Sequence, residues 1–225
     1  MNDMQSTCRP KVIRILIVDD HPVVREGLAI RLSAEPDLQV CGEAEGLTDA
    51  LRLIEQQQPD VAIVDILLKD GNGIDLVKEI RSRFPHFKIL VLSAYQESLY
   101  AERALRAGAS GYLNKQETGE KIFEAIRTIM EGNRFISSNM TERLLKQAIN
   151  TGNSPEKSPV ETLSNRELEV FRLIGQGLTT GAIARQLQLS THTIDTHREK
   201  IKHKLAVKSA NALQREATQW ILENS

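Results

Sequence analysis

Val61-Ala62-Ile63-Val64 is an apolar run with no polar alternation, and it ends on Asp65. Such a run suits a strand covered on both faces by helices rather than one lying on a solvated sheet. Three further aliphatic-rich runs have the same character. Val12 to Val18 ends on Asp19-Asp20, Lys88 to Leu92 ends on Ser93, and Ser110 to Leu113 leads into Lys115. Leu38 to Cys41 reads as a weaker strand. Between the strands, apolar residues recur at helical spacing in Pro22 to Ser33, Thr48 to Gln57, Ile74 to Phe84, Glu97 to Ala107 and Gly119 to Met130. Pro22 falls in the first turn of its helix, where a missing N–H costs nothing. Strands alternating with helices predict an α/β fold, a doubly wound five-stranded parallel sheet with right-handed crossovers.

The pattern changes after Met130. Met140, Leu144, Leu145, Ala148 and Ile149 mark a short connecting helix, and Asn150 to Pro159 has no aliphatic residue and reads as a linker. Ser164-Asn165-Arg166-Glu167 then has the form of a capping box, in which serine and glutamate satisfy each other's backbone amides. Four helices follow, Asn165 to Ile174, Thr180 to Leu187, Thr191 to Leu205 and Ala210 to Leu222, with Ser190 and Ser209 as N-caps of the last two. The middle pair, joined by Gln188-Leu189-Ser190, has the dimensions of a helix-turn-helix. The division is therefore a first domain over residues 11–131, a linker with its short helix over 132–162, and an all-α four-helix domain over 163–225. On the last helix Leu213, Ala217 and Trp220 share a face, either as packed core or as part of a dimer contact.

Charge sharpens the second half more than the first. The net formal charge of −1 is uninformative, but Arg198, Lys200, Lys202, Lys204 and Lys208 face only Glu199 in their stretch. Two cysteines, one of them in the polar N-terminal tail, supply neither a disulfide framework nor a metal cluster. Met1 to Arg9 lacks the apolar core of a signal peptide, and no run approaches the ~20 apolar residues that span a bilayer. A cytoplasmic protein with no membrane contact is expected.

In an open α/β sheet, side chains at the carboxyl ends of parallel strands meet in one crevice. The predicted crevice holds Asp19, Asp20, Asp65, Ser93 and Lys115. Taken singly, an aspartate after a strand is often a helix cap and a lone lysine a solvated charge. Taken together, each at its own strand end, they read as a site. Three carboxylates repel one another unless a cation joins them, and hard oxygen ligands suit Mg2+. Asp65 is then placed to attack a phosphoryl group, with Lys115 and Ser93 stabilising its oxygens. His21 reads as a surface residue and Gly71-Asn72-Gly73 as a turn.

On these residues the stretch from Lys11 to Met130 resembles the receiver domain of bacterial response regulators. Leu163 to about Trp220 is similar to the LuxR-type DNA-binding domain. Together they resemble a two-component response regulator of the NarL/FixJ type. The resemblance implies a flavodoxin-like strand order of 2-1-3-4-5 and phosphorylation of Asp65 by a histidine kinase. It implies Mg2+ held by Asp20, Asp65 and the Leu67 carbonyl, with Asp19 acting through water. Ser93 and Tyr112 would be the switch pair, and Lys115 would contact the phosphoryl group. The implied partners are the kinase, double-stranded DNA, a second copy of the chain when phosphorylated, and RNA polymerase. Two departures stand out. Lys69 occupies a position that is proline in many receivers, and Thr179-Thr180-Gly181-Ala182 opens the scaffold helix without the usual acid.

Enzyme readings fit less well. Dehalogenase-type phosphatases carry a second aspartate two residues past the nucleophile, where this chain has Leu67. A dinucleotide fold needs glycines in its first turn, where Asp19-Asp20-His21-Pro22 would repel a pyrophosphate. In the third helix of the second domain, turning Ile194, Ile201 and Leu205 inward leaves Asp195, Thr196, Glu199, Lys200 and His203 outward. That face suits a major groove. Asp195, Thr196 and Glu199 are expected to meet base edges. Thr191, His192, Thr193, Lys200, Lys202, His203 and Lys204 are expected to complete the contact and to meet phosphates.

Overall fold

The computed structural model describes residues 12–94, 97–138, 140–142 and 159–223. Its first unit runs β1 (Ile13–Val18), α1 (Pro22–Ser33), β2 (Leu38–Ala44), α2 (Leu47–Gln57) and β3 (Val61–Asp65). A two-residue hairpin follows, β4 (Leu67–Leu68) with β5 (Gly71–Asn72), and then α3 (Gly73–Arg83), β6 (Lys88–Ser93), α4 (Glu97–Ala107), β7 (Gly111–Asn114) and α5 (Lys121–Met130). The main sheet is parallel in the order β2-β1-β3-β6-β7. With the small hairpin set aside this is the expected 2-1-3-4-5 order.

Two apolar layers sandwich the sheet, as the unbroken strand runs require. Ile15, Ile17, Ile63 and Leu92 pack with Leu28 and Leu32 of α1 and with Ile122, Ile126 and Ile129 of α5. Leu16, Val64 and Val91 pack on the other face with Ile54 of α2, Leu76 and Ile80 of α3 and Ala104 of α4. β2 runs past Cys41 to Ala44 and carries a bulge, since Ile15 pairs with Val40 but Leu16 with Gly42. A half-exposed edge strand through Gly42-Glu43 has no hydrophobic run to announce it. α5 starts two residues later than its pattern indicates: Lys115–Glu117 makes a 3-10 turn and residues 118–120 continue as a turn before the helix begins. Beyond α5 the backbone of Phe135 joins the sheet edge: its amide donates to Ser110 O and its carbonyl accepts from Tyr112 N, at 3.2 and 2.8 Å.

Of the short helix expected before the linker, residues 138 and 140–142 are helical, with Met140 buried. Leu144, Leu145, Ala148 and Ile149 and most of the linker lie outside the described residues. The second unit opens with a 3-10 turn at Pro159–Thr162, followed by α6 (Asn165–Gly175), α7 (Thr180–Gln186), α8 (Thr191–Lys204) and α9 (Ala210–Glu223). The capping box at Ser164 and Glu167 is complete. Ser190 accepts from Thr193 N and Ser209 from Ala212 N, so both expected caps form. Leu213 and Ala217 are fully buried against this unit's own core, and the Trp220 ring lies 5.9 Å from that of Phe171. Leu213 and Ala217 are therefore core, while Trp220, half-buried, packs on Phe171 at the edge of that core.

Candidate phosphoryl site and nucleic-acid interface

Each residue of the crevice is delivered by a strand end. Asp19 follows β1, Asp65 closes β3, Ser93 closes β6 and Lys115 follows β7. Lys115 Nζ lies 2.6 Å from Asp19 Oδ2 and 2.9 Å from Asp65 Oδ2. The Ile66 amide donates to Asp65 Oδ1 at 2.8 Å. Behind Asp65, α3 presses so close that a Cβ on Gly73 would sit 1.9 Å from the Asp65 carbonyl oxygen, which explains a glycine there. Gly71-Asn72-Gly73 is thus more than a turn. It pairs with Leu67-Leu68, and the Asn72 side chain caps α3 by accepting from Ile74 N.

Burial governs the electrostatics. It pushes the Asp65 carboxyl up to about 6, with Lys115 opposing and Asp19 adding to the rise. Burial also raises Asp20, against the pull of His21. For Lys115 burial alone would lower the ammonium, but Asp65 and Asp19 together outweigh it and hold it above the usual lysine range. Asp19, Asp20, Asp65 and His21 offer ligand atoms all within 4.8 Å of one another. Asp20 Oδ1 is buried, and its near neighbour is His21 Nδ1 at 2.7 Å, which makes no well-aligned hydrogen bond to it. Three carboxylates brought this close, one of them with a buried oxygen that makes no well-aligned hydrogen bond, are what a hard divalent cation satisfies, so the donor set fits Mg2+. His21 was not anticipated here. Its backbone amide donates to Asp19 Oδ1 at 2.9 Å and its Nδ1 approaches Asp19 and Asp20. A surface histidine next to two aspartates carries no signal of its own in the chain. Ser93, which closes β6, and Tyr112 of β7 are both fully buried.

In the second unit α8 buries Ile194 and Ile201 and exposes Thr191, His192, Asp195, Thr196, Glu199, Lys200, His203 and Lys204. Thr193 and Lys202 are half-buried. The exposed face is as expected, but several side chains already have partners. Lys204 Nζ donates to Glu167 Oε2 at 2.6 Å and to Thr162 O at 3.1 Å, tying α8 to the capping box. Lys202 pairs with Glu199 at 2.8 Å, and the Thr196 hydroxyl donates to His192 O.

Residues 15–127 match the response regulator receiver domain, and residues 161–217 match the luxR family of bacterial regulatory proteins. This chain is a NarL/FixJ-type response regulator. The regulator is 36% identical over 201 residues to the oxygen regulatory protein NreC of Staphylococcus carnosus, covering 88% of this chain and 93% of that one. It is 32% identical over 196 residues to the DNA-binding transcriptional activator DevR/DosR of Mycobacterium tuberculosis, covering 87% and 89%. It is also similar to RcsB from Salmonella enterica serovar Typhimurium bound to promoter P1flhDC in the presence of phosphomimetic BeF3-. That match has a TM-score of 0.60 at 28% identity and covers 92% of this chain and 98% of that one. The regulator thus couples a receiver to a DNA-binding output unit of luxR type and acts in transcription regulation. Among its described residues no helix is long and apolar enough to cross a membrane.

Proposed function

We propose that Asp65 accepts a phosphoryl group from a histidine kinase and that this state controls how the output unit engages double-stranded DNA. The observation that carries the reading is the pairing of one half-buried ammonium, Lys115, with the carboxylates of Asp65 and Asp19 at adjoining strand ends. One Asp65 oxygen attacks the phosphorus as the P–N bond of the phosphohistidine breaks, and the leaving imidazole takes up a proton. Lys115 then exchanges a carboxylate partner for a phosphoryl oxygen, and the Ser93 hydroxyl donates to another. Ser93 and Tyr112 form the switch pair. Asp20, Asp65 and the Leu67 carbonyl, with Asp19 through water, are the residues that would hold Mg2+. When bound, the ion supplies charge neutralisation for the carboxylates and the transferring group.

The domain limits follow as residues 11–131, 132–162 and 163–225, in a cytoplasmic protein. Its chemistry is that of a phosphoacceptor and transcription factor, the receiver assisting only its own phosphoryl transfer and dephosphorylation. A homologous structure contains two RcsB dimers bound to two parallel DNAs, which supports a phosphorylation-promoted homodimer here, with RNA polymerase as a downstream partner. Two weak readers on neighbouring half-sites gain effective concentration when joined. Asp195, Thr196 and Glu199 meet base edges, while Thr191, His192, Thr193, Lys200, Lys202, His203 and Lys204 position the helix. Intact-mass measurement after incubation with a phosphohistidine donor tests the acceptor. One phosphoryl group on the wild-type chain and none on Asp65→Asn is expected, and uptake by Asp65→Asn refutes the assignment.

A further inference from the structure

The output unit is docked on the lip of the phosphoryl crevice, while its DNA-reading face points away. Two sets of contacts hold it. Asn165, buried at the start of α6, donates from Nδ2 to Asp75 Oδ1 on α3 at 3.0 Å and accepts at Oδ1 from Arg103 on α4 at 3.2 Å. Arg103 also donates to the carbonyls of Glu161 and Val160, at 3.2 and 3.4 Å. Nearer the crevice, a narrow gap of about 70 Å3 separates Asp20, His21 and Leu67 from Arg166, Glu169 and Leu187. Arg166 closes that side, donating to Glu169 Oε2 at 2.7 Å and to Leu187 O at 2.9 Å. Throughout, Asp195, Thr196, Glu199 and Lys200 of α8 remain exposed.

We propose that the docked output unit is a gate on phosphoryl transfer at Asp65 rather than a mask over the DNA-reading face. Kinase and output unit compete for one lip, because a donor approaching Asp65 past Leu67 and His21 meets α6 and the end of α7. Charge couples the two events. Docking sets the Glu169 carboxylate, whose Oε1 is buried without a hydrogen-bond partner among the described residues, across the gap from Asp20. The Arg166 guanidinium in the same gap is already committed to Glu169 Oε2 and Leu187 O, so a phosphoryl group adds negative charge facing Asp20 and Glu169, and this favours release. Linkage requires the reverse: whatever docking loses on phosphorylation, phosphorylation loses on docking. The inference rests on Asp65 being the acceptor, and its test separates the two.

The whole chain of both units, with Mg2+ present, is treated with acetyl phosphate, and uptake is followed by intact mass. Asp75→Ala removes the lock from the receiver side and Asn165→Ala from the output side, so agreement between them excludes a local folding defect. Both are expected to take up phosphoryl roughly fivefold faster than wild type by raising the undocked fraction. The DNA affinity of the untreated chains should stay within about twofold of wild type, since α8 is already exposed. Equal uptake rates overturn the gate, and equal rates with tighter DNA binding by the variants assign docking to masking instead. Uptake by Asp65→Asn, or by no chain at all, contradicts the acceptor reading itself.

Discussion

Lys115 Nζ stands 2.9 Å from Asp65 Oδ2 and is also shared with Asp19, so one ammonium balances two buried carboxylates. Removing it strands both. Lys115→Ala is expected to lose about 3–5 kcal/mol of stability without divalent cations, the usual cost of breaking a buried pair from one side. Urea unfolding with and without Mg2+ checks this. Added Mg2+ should restore part of the loss, and a variant as stable as wild type in the absence of cations contradicts the account.

The raised carboxyl of Asp65 fixes the sign of a pH effect. Unfolded, the group ionises above its ordinary 3.8, but folded only above about 6. Between those values the folded chain holds a proton that the unfolded chain lacks, so stability falls as pH rises through this window, and the penalty is complete above it. The rise corresponds to roughly 3 kcal/mol at most. Asp65→Asn should therefore gain little on wild type at about pH 4.5 and most at about pH 7.5 in cation-free urea unfolding. A gain independent of pH would show that burial does not govern this carboxyl.

How far this site could be read from the chain depended on whether a residue announces its place by periodicity. Asp65, Asp19, Ser93 and Lys115 each end an aliphatic run, and parallel topology carries such ends to one crevice. His21 and Asn72 end nothing. They belong to connections only a few residues long, where no period develops, and their roles come from folding back on Asp19 and Ile74. On α9, helical spacing showed that Leu213, Ala217 and Trp220 share a face but not what covers it, and Phe171 of α6 supplies the answer. The Asn165–Asp75–Arg103 lock joins residues 62 and 90 positions apart, and no local pattern reports such a meeting.

Two glycines of the output unit should respond to alanine in opposite directions. At Gly181, in the first turn of α7, a Cβ would meet only the Arg185 guanidinium at 3.8 Å, so Gly181→Ala should stabilise by up to about 1 kcal/mol through helix propensity. At Gly175 a Cβ would fall 2.4 Å from the Ala217 carbonyl oxygen of α9, so Gly175→Ala should cost about 1–3 kcal/mol by forcing the helices apart. Thermal melts of the two variants decide it, and a destabilised Gly181→Ala contradicts the packing described.

Base reading on α8 should divide by residue. Asp195 is exposed on the outward face, whereas Glu199 is paired with Lys202 at 2.8 Å. Asp195→Ala and Glu199→Ala are each expected to relax preference at one base pair by roughly 1–3 kcal/mol, with little change in salt dependence. If the ion pair persists on DNA, Glu199→Ala instead changes affinity by only a few tenths of a kcal/mol. Lys200→Ala should weaken all sequences alike and flatten the salt slope. Selection from a randomised duplex library distinguishes these outcomes, and an unchanged motif for both acidic variants rules out base reading by this pair.

The most direct test of the central claim is DNA affinity measured on the full chain with and without beryllium fluoride and Mg2+, for wild type and Asp65→Asn. The account predicts that the mimic tightens wild-type binding and promotes dimers, while Asp65→Asn responds to neither. Wild-type affinity and sedimentation both unchanged by the mimic, or an equal response from Asp65→Asn, would contradict it.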